Sequence, residues 1–417
     1  MATQLIPIKY LAKINPPVSL PESGEIEYLP MEMVKNGTFI HHTGSIETLA
    51  SSLTSFQNGD IVIAKVTPCF ENGNIALLSN LQNGVGLGSS ELITLRPNPN
   101  VIPKFLLYAL QNKNFVNDCA NMMRGTGGLK RIPPDFFASY RLPLPPKARQ
   151  NIVVQWLDKK ISQIEKIINT KQQTLAKLSE YRQSLITKAV TKGLNPNVEM
   201  KNSGVEWIRE IPHSWMVSNA NNFFNYGKGL PITKANLTDN GIAVISYGQI
   251  HSKENTGTDL SNKLLRYVPE NLAKEGCKCS FGDIVFADTS EDLTGLGNAV
   301  INNRTDIVYA GYHTIVAKPK NIKYSRYLSY LFQTDMWRFQ LRKNAMGVKV
   351  FSLTKRLLSH VSLILPPETE INAIVEYLDL RVSYIRQIEQ TLNDSILKLY
   401  EYRSSLITAV VTGQIQI

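Results

Sequence analysis

Two polar stretches each follow the same short apolar motif, one in either half of the chain. Gly59-Asp-Ile-Val62 precedes the first and Gly282-Asp-Ile-Val285 the second, and both motifs predict a β-strand. Polar side chains at a strand end can form hydrogen bonds with the edges of DNA bases. The predicted contacts are Lys65, Thr67, Glu71 and Asn72 in the first stretch and Asp288, Thr289, Ser290 and Glu291 in the second. In the alternative interpretation, Thr67, Asn72 and Ser290 only shape turns and the acidic residues solvate a surface.

A basic loop follows each polar stretch. The first runs from Arg124 to Arg131 and is rich in glycine, and the second runs from Arg342 to Lys349. Lys and Arg side chains bind the phosphates of a nucleic acid without selecting a sequence. The predicted phosphate contacts are Arg124, Lys130, Arg131, Arg342, Lys343 and Lys349.

Catalytic and metal-binding motifs are not supported by their surroundings. Asn15-Pro-Pro-Val18 is close to the Asn-Pro-Pro-aromatic motif of adenine-N6 methyltransferases, but Val18 cannot stack on a flipped base. A predicted strand, rather than the helix of a dinucleotide fingerprint, follows Gly84-x-Gly-x-Gly88. The 6 histidines and 4 cysteines show no spacing typical of a metal site. We therefore expect a binding protein with no catalytic residues and no metal.

The formal net charge is +11, and it is unevenly distributed. Residues 143–195 carry 10 basic and 3 acidic side chains, a difference of +7, whereas residues 364–417 carry 4 and 7, a difference of −3. A basic protein often binds a polyanion, and nucleic acid is the default candidate, although charge can also serve solubility alone. The opposite charges of these two segments favour their pairing with each other.

The same two segments form an internal repeat. Residues 144–191 align without a gap with residues 365–412, at an offset of 366 − 145 = 221. Each copy begins with Leu-Pro-Pro and contains no later Gly or Pro until Gly193 or Gly413, which predicts two long helices. Apolar residues recur at steps of three and four, as in a coiled-coil seam of roughly 60 Å. The predicted pairing residues are Leu157, Ile161, Ile164, Leu175, Leu178, Leu185, Leu378, Val382, Ile385, Leu392, Leu399 and Leu406.

The alternative for these segments is two ordinary amphipathic helices in one core, but their length favours a spacer. The predicted divisions are an α/β domain at 1–142, a helix at 143–195, a second α/β domain at 196–363 and a helix at 364–417. No signal peptide opens the chain and no apolar run reaches 18 residues. We therefore expect a cytoplasmic protein with reduced cysteines and no membrane segment.

Several of these motifs resemble the specificity subunits of type I restriction-modification systems. The resemblance covers nearly the whole chain. It rests on the Leu-Pro-Pro starts, on Glu-Tyr-Arg-x-Ser-Leu-Ile-Thr at 180–187 and 401–408, and on Ser203-Gly-Val-Glu-Trp207 with Trp215. Residues 60–74 and 283–292 are similar to two subtypes of the family's target recognition domain. The first 25 or so residues have no Trp-rich segment like 203–215, so the resemblance predicts little about them.

The resemblance implies a mixed α/β fold, in which two long antiparallel coiled-coil helices join two α/β target recognition domains as a pseudo-twofold repeat. Each domain would recognise one half of a split site in double-stranded DNA. The helices would set the gap and dock two methyltransferase subunits, and restriction subunits that translocate DNA would join for cleavage. S-adenosylmethionine, ATP and Mg²⁺ are then expected on those partner subunits, with no cofactor and no catalysis in this chain.

Two other functions remain open from the sequence. One is a self-sufficient DNA methyltransferase, which binding of S-adenosylmethionine by the purified chain would support. The other is a coiled-coil scaffold without a role on DNA, which failure to bind any duplex would support.

Overall fold

The computed structural model describes residues 4–49, 53–126, 128–345 and 350–417. Lys349, one of the predicted phosphate contacts, lies outside the described residues. The chain divides into two compact units, which we call the first unit (Met1–Gln173 with Thr391–Ile417) and the second unit (Thr174–Gln390). Both units contain part of each long helix, so the compact units do not end where the helices begin.

The first unit contains two four-stranded sheets. One sheet is antiparallel, with the strand order Ala12–Ile14, Leu92–Pro97, Ile61–Ala64 and Ile75–Leu77. The other has the order Thr43–Ser45, Glu25–Leu29, Val85–Gly88 and Thr54–Gln57, and its two central strands are parallel. Gln4–Pro7 pairs with Arg141–Leu144, just before the first long helix. Other elements are the hairpin Val34–Lys35 with Thr38–Phe39 and the helices Ile8–Leu11, Pro103–Leu110, Lys113–Met122 and Pro134–Ser139.

The second unit has the same plan. Its antiparallel sheet has the order Phe224–Lys228, Thr314–Pro319, Ile284–Ala287 and Ala299–Ile301. Its other sheet has the order Arg266–Val268, Ile242–Ile245, Val308–Ala310 and Lys278–Cys279, again with a parallel central pair. The paired short strands are Met216–Asn219 with Ser362–Leu365, Met200–Asn202 with Glu210–Pro212, and Thr289–Ser290 with Phe351–Ser352. The helices are Ala220–Phe223, Tyr247–Ile250, Ser325–Leu331, Asp335–Lys343 and Lys355–Ser359.

The duplication therefore extends through the globular parts, including the start of the chain. Gln4–Pro7 is the counterpart of the strand Met216–Asn219 in the second unit. The first residues, about which the resemblance predicted little, therefore form an equivalent strand. Within the first unit, Pro103–Leu110 and Lys113–Met122 are two separate helices. The first of them ends at Leu110. The Asn112 side chain then caps the next helix by accepting a hydrogen bond from the backbone N–H of Phe115 (3.0 Å).

The two long helices span Lys147–Lys192 and Glu368–Val411, which are 46 and 44 residues. At 1.5 Å per residue each is roughly 65–70 Å long. Each helix starts directly after its Pro-Pro pair, and the two helices end one and two residues before the predicted glycines. Gly193 and Gly413 have φ values of +72° and +77°, the left-handed conformation that ends many helices and that glycine adopts without strain.

The two long helices are antiparallel within each unit. In the first unit, Arg149 near the start of one helix bonds the carbonyl of Ile417, and Glu165 lies 3.5 Å from Arg403. Residue numbers thus rise along one helix as they fall along the other. The second unit shows the same direction, because Arg182 pairs with Glu389 at 3.5 Å. Further along it, Trp215, which lies against Gly193, donates its indole N–H to Glu370 (3.0 Å).

All twelve predicted pairing residues are buried or half-buried. Leu157 and Leu378 are completely buried. In the second unit the helices are also part of the core of the globular domain, since Ile186 and Leu378 belong to the same apolar cluster as Phe286 of the sheet. The helices are therefore more than a spacer, because the globular part is packed onto them.

A tyrosine–aspartate hydrogen bond joins each globular part to a long helix. Tyr108 donates its hydroxyl to Asp158 in the first unit, and Tyr330 donates to Asp379 in the second, both at 2.5 Å. Burial, followed by the bond to the carboxylate, raises the pKa of both phenols well above the usual value. Both hydroxyls therefore stay protonated at any physiological pH and can donate.

Truncation of the buried helix face should destabilise the second unit. We expect Leu378→Ala to lower the free energy of unfolding by about 2–5 kcal/mol, because it leaves a cavity in a well-packed core. Leu380→Ala is the matched control on the same helix, since Leu380 is 53% exposed, and should change stability by under about 0.5 kcal/mol. Urea unfolding of the full chain measures both, and equal effects would show that the predicted face is not the buried one.

Candidate nucleic-acid interface

Three segments of the first unit converge at the end of the strand Ile61–Ala64. They are the first strand-end loop (residues 65–74), the turn at residues 88–91 and the first basic loop (residues 124–131). The backbone N–H of Lys65 donates to the carbonyl of Glu91 (2.9 Å), and that of Ile132 donates to the carbonyl of Lys65 (3.0 Å). The three segments therefore form one surface.

Two of the predicted contact residues in the first strand-end loop have structural partners. The Thr67 hydroxyl donates to the carbonyl of Gly128 (2.8 Å) and accepts from the N–H of Lys130 (2.9 Å), so it fixes the loop against the first basic loop. The Lys65 ammonium donates to the carbonyl of Ser90 (2.7 Å). Glu71 and Asn72 are exposed on this loop. The structure thus gives Thr67 the turn-shaping role of the alternative interpretation and leaves Glu71 and Asn72 accessible to a ligand.

The basic loop of the first unit carries three exposed cations in different situations. Arg131 binds Glu91 with two parallel hydrogen bonds of 2.9 and 2.7 Å. These bonds lower the pKa of the Glu91 carboxyl, so it is ionised at neutral pH. Arg124 and Lys130 are also exposed. A planar Arg–Glu pair flanked by two further cations has the donors that phosphates require and the acceptors that base amino groups require.

The second strand-end loop (residues 288–298) follows the strand Ile284–Ala287. Here the N–H of Asp288 donates to the carbonyl of His313 (3.1 Å), and the N–H of Leu353 donates to the carbonyl of Asp288 (2.7 Å). These are the same two backbone bonds as in the first unit. Leu353 and Ile132 differ by 221 residues, the offset of the helix repeat.

The shared backbone bonds align side chains of opposite chemistry. Lys65 corresponds to Asp288, and Glu91 corresponds to His313. In addition, Arg131 corresponds to Ser352, because each pairs with its strand-end loop. One backbone framework thus presents two different sets of hydrogen-bonding groups. Glu91 and His313 were not among the predicted contacts, because each is far in sequence from the strand-end loop to which its backbone is bonded.

Several predicted contacts in the second unit already have hydrogen-bond or ion-pair partners within the protein. Ser290 is buried and its hydroxyl donates to the carbonyl of Asp292 (2.7 Å), so we leave it out of the candidate surface. Arg342 bonds the carbonyl of Leu293 (3.0 Å) and the carboxylate of Asp335 (2.9 Å), and Lys343 pairs with Glu206 (2.8 Å). Asp288 lies 3.2 Å from His313, Thr289 is half-buried, and Glu291 is exposed.

Catalytic chemistry finds little support at the Asn-Pro-Pro-Val motif. The Asn15 side chain accepts a hydrogen bond from the N–H of Thr94 (2.8 Å), and its own N–H donates to the Thr94 carbonyl (2.7 Å). Asn15 therefore fastens the edge of a sheet. Over the described ranges, no three His, Cys, Asp or Glu side chains are grouped so that they could hold a metal ion. None of the described helices is long and apolar enough to cross a lipid bilayer.

Residues 13–177 and 212–398 match the family described as the type I restriction modification DNA specificity domain. These two matches cover most of the chain and correspond to its two repeated halves. The chain belongs to the type I restriction-modification specificity subunits.

Known specificity subunits and one solved structure are similar to this chain. The EcoAI specificity subunit of Escherichia coli is 33% identical over 208 residues, which are 49% of this chain but only 34% of that protein. The MjaVIII specificity subunit of Methanocaldococcus jannaschii is 22% identical over 98% of this chain and 91% of its own length. A chain from a structural study of complex assembly and conformational transition in a type I system superposes with a TM-score of 0.72. It is 15% identical over 99% of this chain and 98% of that chain. At that identity the superposition shows a shared fold and nothing more.

An aspartate begins the strand that carries each strand-end loop, and its surroundings differ between the units. Asp60 is buried and accepts two hydrogen bonds from Arg96 (2.8 and 2.9 Å). Lys318, at the position of Arg96 in the second unit, instead donates to the carbonyl of Lys278 (3.0 Å). Burial therefore raises the pKa of Asp283, although the N–H of Ser280 and the charge of Lys318 oppose the shift.

The two aspartates should respond differently to neutralisation. Asp60→Asn removes the charge that binds Arg96 and should cost the first unit about 1.5–3 kcal/mol at pH 7. Because the folded-state pKa of Asp283 is raised, its ionisation disfavours folding above that pKa, and this cost disappears as the pH falls below the unfolded value. Asp283→Asn should therefore lose no stability at pH 7 and should differ less from the native chain at pH 4. Denaturant unfolding at both pH values tests this. An equal loss of stability by the two variants at pH 7 would contradict it.

Proposed function

We propose that each unit recognises one half of a split DNA site. The observation that supports this most is the shared backbone framework of the two strand-end loops, with different side chains at the matching positions. A framework that is kept while its exposed groups change suits two domains that bind the same kind of ligand with different sequence preferences. The half-sites would therefore differ in sequence.

Within each surface we assign base contacts to exposed polar groups on the strand-end loops. In the first unit these are Glu71 and Asn72 on the loop, together with the paired Glu91 and Arg131 at the end of the same strand. In the second unit they are Asp288, His313 and Glu291. Asn and Arg can each make two hydrogen bonds to a purine, whereas a carboxylate can accept from cytosine N4. We assign phosphate contacts to Arg124 and Lys130 in the first unit. In the second unit, Arg342 and Lys343 are already paired with acidic side chains of the protein.

The long helices would set the distance between the half-sites and bind two methyltransferase subunits. Their exposed apolar residues support a docking role, since Tyr181, Tyr384 and Tyr402 are each more than half exposed on these helices. Restriction subunits that translocate DNA would join this complex for cleavage. In this proposal S-adenosylmethionine, ATP and Mg²⁺ belong to those partners, and the chain supplies recognition without catalysing a reaction.

Loss of a phosphate contact should weaken binding to every sequence. We expect Lys130→Ala to reduce affinity for specific and unrelated duplexes alike, and to lower the slope of log K against log salt by about one. Lys9, an exposed lysine on the helix Ile8–Leu11, provides the matched control, and Lys9→Ala should leave the slope unchanged. Titration of labelled duplexes at several salt concentrations gives both values. Equal slopes for the two variants would remove Lys130 from the DNA surface.

Loss of a base contact should alter sequence preference in one half-site only. We expect Asn72→Ala to cost about 1–3 kcal/mol at one base pair of the half recognised by the first unit. The other half-site serves as an internal control, because its recognition loop is unchanged. Mapping of methylated adenines by long-read sequencing, in cells that express the complete methyltransferase complex, reports the preference at each position. An unchanged methylated sequence would show that the first strand-end loop does not contact bases.

A further inference from the structure

Three side chains form a hydrogen-bond network beneath the second strand-end loop. The Nε2 atom of His251 lies 2.8 Å from the carbonyl oxygen of Thr289, on the loop itself. The Nδ1 atom of the same ring lies 3.1 Å from the side-chain nitrogen of Asn298, where the loop ends. The side-chain oxygen of Asn298 accepts from the guanidinium of Arg338 (2.7 Å). We call these residues the His251 network.

The chemistry of the groups allows only one direction of hydrogen bonding in the His251 network. Because Arg338 can only donate, the Asn298 oxygen faces it and the Asn298 amide group faces His251. His251 therefore accepts at Nδ1, which places the ring proton on Nε2, where it donates to the Thr289 carbonyl. One neutral tautomer satisfies every group in the network. The loop is thus anchored at its start and at its end by one histidine.

Arg338 is itself held in place by the helix Asp335–Lys343 and its surroundings. Its Nε–H donates to the carbonyl of Phe332 (2.8 Å), and the guanidinium also approaches the carbonyl of Thr294 (3.5 Å). Burial lowers the pKa of Arg338 to about 10, so the side chain remains charged and able to donate at neutral pH. The network therefore starts from a fixed donor rather than from a mobile side chain.

The loop packs directly against the histidine ring. A Cβ atom at Gly295 would lie 3.2 Å from two atoms of His251 and 2.6 Å from the hydroxyl oxygen of Ser290. Only a glycine fits this approach without displacement of the ring. Asp292 and Thr294 complete the loop internally, since the Asp292 carboxylate accepts from the Thr294 hydroxyl (2.6 Å) and from the Gly295 N–H (2.7 Å).

The corresponding positions of the first unit are occupied differently. Asn112 and Thr334 cap equivalent helices through Phe115 and Trp337, so Val116 occupies the position of Arg338. Asn74, which bonds Ala64 as Asn298 bonds Ala287, donates its side-chain N–H to the carbonyl of Met31 (2.8 Å). The arginine-anchored arrangement therefore distinguishes the second unit.

We propose that His251 is a positioning residue for DNA recognition by the second unit. The His251 network holds the loop in one shape, and this shape sets where Glu291 and the neighbouring tip residues meet the base edges. His251 itself need not contact DNA. This inference rests on the proposed recognition of a half-site by the second unit. It adds the residues that fix the position of the recognition loop.

The test uses the full chain assembled with its methyltransferase subunits and compares methylation of the preferred site with sites that carry one altered base pair. We expect His251→Ala to reduce discrimination in the half recognised by the second unit by about tenfold, while the other half keeps its native discrimination. His251→Gln can place an amide N–H where Nε2 lies, so this variant should keep much of the native discrimination. His360→Ala is the matched control, because the exposed His360 also bonds a backbone carbonyl, that of Arg356.

Each outcome decides the matter. Native discrimination by His251→Ala overturns the positioning role, as does an equal loss in both halves, which indicates general destabilisation. If His251→Ala does not fold, His251→Gln is tested alone. A Gln variant that folds and discriminates like the native chain supports the role, and one that folds with both halves equally impaired contradicts it. A native complex that methylates no split site would instead overturn the proposed function itself.

Discussion

The buried contact between the two antiparallel long helices is the constraint on which both units depend. Each unit is completed by part of both helices, and the second unit's core includes residues from each of them, such as Ile186 and Leu378. A break in the helix pair would therefore expose apolar surface of the globular parts as well as the seam. The Arg–Glu pairs between the helices are only partly buried, so they select the antiparallel partner more than they stabilise it.

Each globular part is attached to one helix of the pair by a hydrogen bond, Tyr108–Asp158 in the first unit and Tyr330–Asp379 in the second. The sheets then carry the strand-end loops at fixed positions relative to the helices of their own unit. Such a hierarchy lets exposed loop residues vary without loss of the fold, because exposed loop side chains contribute little to a packed core. Differences such as Lys65 against Asp288 illustrate this freedom within one chain.

The repeated helices were predictable because their signals are local and long. A gap-free repeat, proline starts and glycine stops leave few alternatives, and the structure places both helix ends as expected. The candidate surface was only partly predictable, since its hydrogen bonds join residues that are far apart in sequence. Ser290 and Asn72 have similar polar side chains, yet one is buried and the other exposed. The Arg131–Glu91 pair and the His251 network likewise depend on three-dimensional contacts that no spacing rule gives.

In the proposed function, the long helices set the gap between the two half-sites. Insertion of one heptad into each helix, after Gln173 and after Gln390, keeps the apolar seam in phase and lengthens each helix by about 10 Å. Mapping of the DNA sequence methylated by the assembled complex measures the effect. The account predicts that both half-sites keep their sequences while the gap between them grows by roughly three base pairs, at 3.4 Å per step. Methylation with the original gap would contradict it, because the helices would then not determine the spacing.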